Sequence, residues 1–195
     1  MSIHPFLDDQ EHLPPGRFRL SWEEAEELLV DDPLFAGSQT RPELWRGLTR
    51  YIARFFELQE QYESLLDGRQ LAHFIWIGGS FASKKLDPRQ LDLSIAIDVL
   101  ARRALAGQPG VRWFNQATSR TYCVDNYGVS PIEIPFVVVP SPFRSDKLGL
   151  DEQSYLRERG AWDDWWQRIR TPGVVDCPPS EETAGTARGY LEVTL

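Results

Sequence analysis

The chain has 195 residues, is 42% apolar and 26% charged, and carries a net charge of −8. That length fits one domain over residues 1–195 with a substantial core, and the composition is that of an ordinary globular protein. The acidic balance argues against a broad nucleic-acid-binding surface, since such surfaces carry a basic excess. No apolar run approaches the roughly 18 residues of a membrane span, and the N-terminus is acidic before any hydrophobic segment. Neither a membrane partner nor a secretory signal is therefore expected. Cys123 and Cys177 lack metal-ligand spacing and form no disulfide framework, as in a reduced, cytoplasmic protein. His4, His12 and His73 are too scattered for a zinc site.

Residues 1–20 contain Pro5, Pro14, Pro15 and Gly16 and are predicted to form an irregular N-terminal arm. Ser21 and Glu24 have capping-box spacing, which predicts a short helix through Leu29 that stops before Pro33. A longer helix is predicted from Thr40–Arg41–Pro42–Glu43, a second capping box with proline in the first turn. Leu44, Leu48, Tyr51, Ile52, Phe55, Leu58, Tyr62 and Leu65 recur at helical spacing and form one core-facing stripe.

His73 to Ile77 is short, branched and aromatic, as in a buried strand. Leu91 to Val99 alternates as a second strand, with Leu91, Leu93, Ile95 and Ile97 on one face. Gln90, Asp92, Ser94, Ala96 and Asp98 share the other face. Beyond it, Leu100 to Ala106 reads as a short helix, Gly107 to Gly110 as a break, and Val111 to Arg120 shows no single periodicity. Thr121 to Val124 is predicted as a strand with Asp125–Asn126–Tyr127–Gly128 as its turn. Ile132 to Val139 is predicted as a strand ended by Pro140 and Pro142, and Gln153 to Arg170 as a helix. That helix carries Trp162, Trp165 and Trp166, whose bulk suits core packing better than base stacking. Residues 171–186 read as a surface loop and Tyr190 to Leu195 as a last strand.

The chemistry concentrates between the first two of these strands. Gly78–Gly79–Ser80 ends the first, where missing side chains admit a ligand and the serine offers a hydroxyl to phosphate. Lys84 and Lys85 follow as further phosphate contacts. A strand carrying carboxylate on one face comes next, the layout expected of nucleotidyl transfer: a turn for the triphosphate and alternate acids for divalent metal.

Several elements in order carry a family resemblance: Leu13–Pro14–Pro15–Gly16, Gly79–Ser80–Phe81, Pro88 to Asp92, Trp162 to Trp166 and Arg188–Gly189–Tyr190–Leu191. The chain resembles the nucleotidyltransferase superfamily and, more closely, a bacterial family of minimal nucleotidyltransferase-like proteins (DUF6932-like). The resemblance implies an α/β (α+β) fold, a mixed sheet flanked by helices. It implies magnesium or manganese, with a nucleoside triphosphate as substrate. It also implies transfer of a nucleoside monophosphate to a hydroxyl of a protein or small molecule, in a toxin–antitoxin or defence setting with a protein partner.

Aligned on Pro88, the two metal acids fall on Gln90 and Asp92; a slipped register places them on Asp92 and Ser94. Either way the pair holds one true carboxylate. Asp98 shares the face but lies roughly 20 Å along an extended strand, and Asp87 reaches the site only if its loop folds back. Glu133, in Pro131–Ile132–Glu133–Ile134–Pro135, is the candidate third acid, with Asp125 as its competitor. The expected catalytic pair is thus Asp92 and Glu133, with Asp92, Gln90 and Glu133 on metal. The alternative is a degenerate fold that binds a nucleotide or a protein without catalysis.

Overall fold

In the computed structural model, which describes residues 11–170 and 180–195, one five-stranded mixed sheet organises the chain. Its strands are β1 (Gly16–Leu20), β2 (Ala72–Gly78), β3 (Leu91–Asp98), β4 (Val129–Phe136) and β5 (Gly189–Thr194), in the order β1-β5-β2-β3-β4. β2 runs antiparallel to both β3 and β5, whereas β1 pairs with β5 and β3 with β4 in parallel. The helices are α1 (Trp22–Glu26), α2 (Arg41–Gln61), α3 (Glu63–Leu66), α4 (Val99–Leu105), α5 (Arg112–Gln116), α6 (Arg120–Tyr127) and α7 (Leu150–Trp166). This is the mixed α/β fold, a mixed sheet flanked by helices, that the family resemblance implied. Among the described residues, no helix is long and apolar enough to cross a membrane.

Strand alternation divides the interior in two. Ile75, Ile77, Leu91, Leu93, Ile95, Ile97, Leu191 and Val193 face the larger core, which α2, α4, α5 and α6 cover. Trp76, Ile134 and Tyr190 face the other side, where Tyr155 and Trp166 of α7 close a smaller core. β3 therefore alternates in sequence yet is buried nearly throughout, because both faces of the sheet are covered.

Local signals set most of these elements. The Ser21–Glu24 capping box forms as read, and α1 continues through a π-helical turn over Glu27–Asp31. The second capping box does not form: Thr40 makes no side-chain cap, and Glu43 is drawn instead to Arg46. Ser38 Oγ takes its place, accepting from Arg41 N–H at 3.1 Å. The apolar stripe of α2 is buried through Leu58, but Leu65 is exposed and Leu66 buried. The chain breaks phase at Tyr62, between α2 and α3.

Three further expectations are corrected. Residues 16–20 are not part of an irregular arm but form β1, which parallel pairing with β5 creates. Residues 121–124 are helical, and Asp125–Tyr127 form the last turn of α6 rather than a turn after a strand. Gly128, at φ 68°, is the left-handed cap that ends it. β4 begins at Val129 and ends at Phe136, before Pro140, because its register against β3 starts at Leu91–Val129. Within the expected 171–186 loop, Glu181–Thr183 forms a 3₁₀ turn, while residues 171–179, with Cys177, lie outside the described residues, as does His4. Cys123 is a buried free thiol, pushed up to about 11 by burial.

Arg41 is fully buried at the start of α2. Its Nη1 donates to Leu29 O (2.7 Å) and Phe81 O (2.9 Å), and its Nη2 to Ser83 O (2.7 Å) and Lys85 O (2.8 Å). Nε reaches Lys85 O at 3.3 Å, and the guanidinium lies 3.6 Å from the Phe35 ring centroid. Burial lowers its pKa to about 10, with Asp87 acting in the opposite direction. Arg41→Met should leave those carbonyls buried without donors and lower stability by about 3–5 kcal/mol, measured by urea unfolding.

Glu192, 5% exposed, accepts from Trp76 Nε1 at 2.9 Å and from Arg19 Nε at 2.5 Å. Burial alone would raise its pKa, but the Trp76 hydrogen bond, Arg19 and Arg17 outweigh it and hold the carboxyl below its ordinary 4.5. A folded-state pKa below the unfolded one contributes stability above that unfolded value, lost as pH falls through the folded one. Glu192→Gln should therefore flatten the acid limb of the stability curve below about pH 4.5, read as a reduced slope of unfolding free energy against pH.

Candidate functional site

The end of β2 and the start of β3 meet across the sheet, with Gly78 paired to Asp92. Gly79 follows at φ 65°, in the left-handed region that glycine adopts without strain. A side chain here would also collide, since its Cβ would lie 2.7 Å from Asp92 Oδ2. Ser80 comes next, half-buried, with its carbonyl accepting from Ser83 Oγ at 2.8 Å. Its own hydroxyl makes no hydrogen bond to any described residue. The turn and the acid are thus brought together as the sequence suggested.

Gly78 has a different role. A Cβ on it would sit 2.3 Å from Trp166 Cε3, so the missing side chain makes room for the indole rather than for a ligand. Trp166 Nε1 donates to Ser94 Oγ at 2.9 Å, and Ser94 is fully buried. This closes off the slipped register, in which Ser94 replaces the second acid. Gln90 stays beside Asp92 and donates from Nε2 to Oδ1 at 2.6 Å.

Glu133 is not brought to this cluster. In the β3–β4 register it pairs with Ile95, a residue of the larger core, whereas Asp92 pairs with Ser130. Partners across a sheet share a face, so Glu133 lies on the opposite face from Asp92. It is ion-paired there with Arg102, and burial raises its pKa against that charge. Asp125 is exposed on α6. Asp98 caps α4, accepting from Ala101 N–H at 2.8 Å. Asp87 turns to the start of α2, accepting from Gln39 N–H at 2.7 Å and Ser38 Oγ at 3.1 Å. Lys84 donates its backbone N–H to Glu11 O at 2.8 Å, and Lys85, exposed, offers its carbonyl to Arg41.

Three residues that the sequence did not mark as part of the site complete the surroundings of Asp92. Ser130 is the β4 residue that faces it, and Arg120 Nε donates to Ser130 Oγ at 3.1 Å. Arg188, immediately before β5, donates Nε to Trp166 O at 3.0 Å. Burial and then the Arg170 charge lower the Arg188 pKa, while Asp92 acts in the opposite direction. Only the Arg188–Tyr190 segment carried a signal, through the family resemblance. Ser130 and Arg120 reach the site by tertiary pairing.

The donor set does not fit a pair of divalent cations. Magnesium is held by hard, mostly charged oxygen ligands, and here Asp92 stands between neutral Gln90 and neutral Ser130. Among the described residues, no group of three His, Cys, Asp or Glu side chains is placed to hold a metal ion. What the arrangement can do is present a glycine turn, a free serine hydroxyl and arginine donors to an anion. Gly79→Ala should force a left-handed alanine against Asp92, lowering stability by at least about 1–2 kcal/mol in a chemical unfolding experiment.

No curated protein and no solved structure matches the chain. A family model described as a family of unknown function, DUF6932, matches residues 5–194. That match takes in β1 to β5 and every residue of the candidate site, and the chain belongs to the DUF6932 family.

Proposed function

We propose that the protein is a nucleotidyltransferase-like module that binds a nucleoside triphosphate at the Gly79–Ser80 turn. The observation that carries this reading is the close approach of that turn to Asp92, where a left-handed glycine lies with its Cβ position 2.7 Å from Asp92 Oδ2. A left-handed glycine followed by an uncommitted serine hydroxyl leaves backbone and side-chain donors for phosphate oxygens. The neutral Gln90 and Ser130 beside a single carboxylate support binding over transfer. Neutralising both the attacking and the leaving oxygen takes two metal ions and the carboxylates that hold them.

The second reading is transfer of a nucleoside monophosphate to a hydroxyl of a protein or small molecule, with magnesium or manganese. Its support is Asp92, a half-buried carboxylate set against the phosphate-binding turn. A protein partner, whether a toxin or a modified target, belongs to either reading, and so does a cytoplasmic location.

Thermal melts with each of the four common nucleoside triphosphates, with and without magnesium or manganese, test the proposal. Saturation at a hundredfold excess over Kd contributes about 2.7 kcal/mol, or roughly 5–10 °C in Tm for a chain of this length. At least one triphosphate should raise Tm in the wild type, with the shift lost in Ser80→Ala. No shift with any triphosphate overturns the reading. Labelled-nucleotide transfer by the wild type, abolished in Asp92→Ala, would establish the second reading instead.

A further inference from the structure

The poor fit of this site to divalent metal has a positive counterpart in the charges around it. The end of the sheet presents a row across four neighbouring strands: Arg188 at the head of β5, Gly79 after β2, Asp92 on β3 and Ser130 on β4. Three strand spacings make this row about 14 Å wide. Arg188 enters from one side and Arg120 from the other, anchored on Ser130. The turn residue between them in this row, Gly79, carries no side chain.

Both arginines are held by Nε and leave their forks unused. Arg188 gives Nε to Trp166 O, and Arg120 gives Nε to Ser130 Oγ. Among the described residues, neither has an acceptor for its Nη groups. The Ser80 hydroxyl is likewise uncommitted, and the buried His12 Nδ1 has no hydrogen-bond partner. His12 sits close to Arg188, whose charge adds to burial in lowering the imidazole pKa, with Glu11 acting in the opposite direction. Open arginine and serine donors beside Asp92, in a chain of net charge −8, locally reverse that sign.

We infer that Arg188 and Arg120 form a clamp that holds the phosphates of the ligand directly, without a divalent cation. This rests on the triphosphate-binding reading and specifies its chemistry. Guanidinium forks match phosphate oxygens in pairs and supply the charge that a metal ion would otherwise bring. Asp92 acts here as a positioning residue: with its Oδ1 taken by Gln90, it supplies the negative charge that draws the half-buried Arg188 toward the turn. A divalent cation at the same place would meet two guanidinium groups and one carboxylate, a balance that disfavours it.

Calorimetric titration with tripolyphosphate and with ATP, each in magnesium and in excess EDTA, tests the clamp. The variants are Arg188→Gln and Arg120→Gln, with a melting curve of each taken before titration. Arg120 is exposed, so its variant should fold even if the Arg188 variant does not. The expected result is wild-type affinity in EDTA within about threefold of that in magnesium, or tighter. Each folded variant should lose about tenfold or more, as the loss of charge-assisted hydrogen bonds predicts. Binding that requires magnesium overturns the clamp but leaves the triphosphate reading intact. Metal-free binding that Arg120→Gln leaves unchanged also overturns the clamp. Absence of binding under both conditions overturns the clamp and the reading together.

Discussion

The buried Arg41 guanidinium is the point on which the architecture of the site depends. Its donors satisfy carbonyls from the π-helical turn after α1 and from three positions in the β2–β3 loop. A buried cation is costly in isolation. Here its cost is offset by a full set of carbonyl acceptors and by the ring faces of Phe35 and Phe81. Among the described residues no carboxylate forms a salt bridge with it. The geometry of the loop is therefore set by a directional fork whose donors each need an acceptor in place. Asp87 reinforces this by tying the end of the same loop to Ser38 and Gln39, at the entry to α2. The loop that begins with Gly79 and Ser80 is thereby fixed to the largest helix.

The second constraint comes from the opposite face. α7 lays Trp166 over Gly78 and seals Ser94 with an indole hydrogen bond. The same helix takes the Tyr190 hydroxyl on Asp163. Glu192 lies under the smaller core as a buried carboxylate held by Trp76 and Arg19. This face of the sheet thus contains several polar groups, each with a partner, which is the condition under which buried polarity rigidifies rather than destabilises. One consequence is functional: the tryptophan closes the middle of β3 and leaves the site only at its mouth, around Asp92.

Electrostatics at that mouth run against the charge of the whole molecule. In an acidic protein, Arg188 lies near both Asp92 and Arg170, and Arg120 is tied to Ser130, the residue paired with Asp92. Gln90 and Ser130 beside Asp92 bring hydrogen-bonding capacity without negative charge.

Much of the fold could be read directly in the residues. Periodicity and capping chemistry determined β2, β3, α2 and the first capping box, because these depend on neighbours a few positions apart. The proximity of Gly79 to Asp92 was also legible, since a strand, a turn and an adjacent strand place those residues together. β1 was not: it is a strand through parallel pairing with β5, whose Glu192 lies 173 positions from Arg19. Glu133 marks the same boundary. Its alternation within β4 was visible, but which face that alternation meets depends on register against β3, and a one-residue slip inverts it. Arg120 meets Ser130, and Arg188 comes near Asp92, for the same reason. Local sequence determined which segments are helix or strand and where the chain turns. Only tertiary pairing decided which side chains share a face, because register is set by packing between strands that lie far apart along the chain.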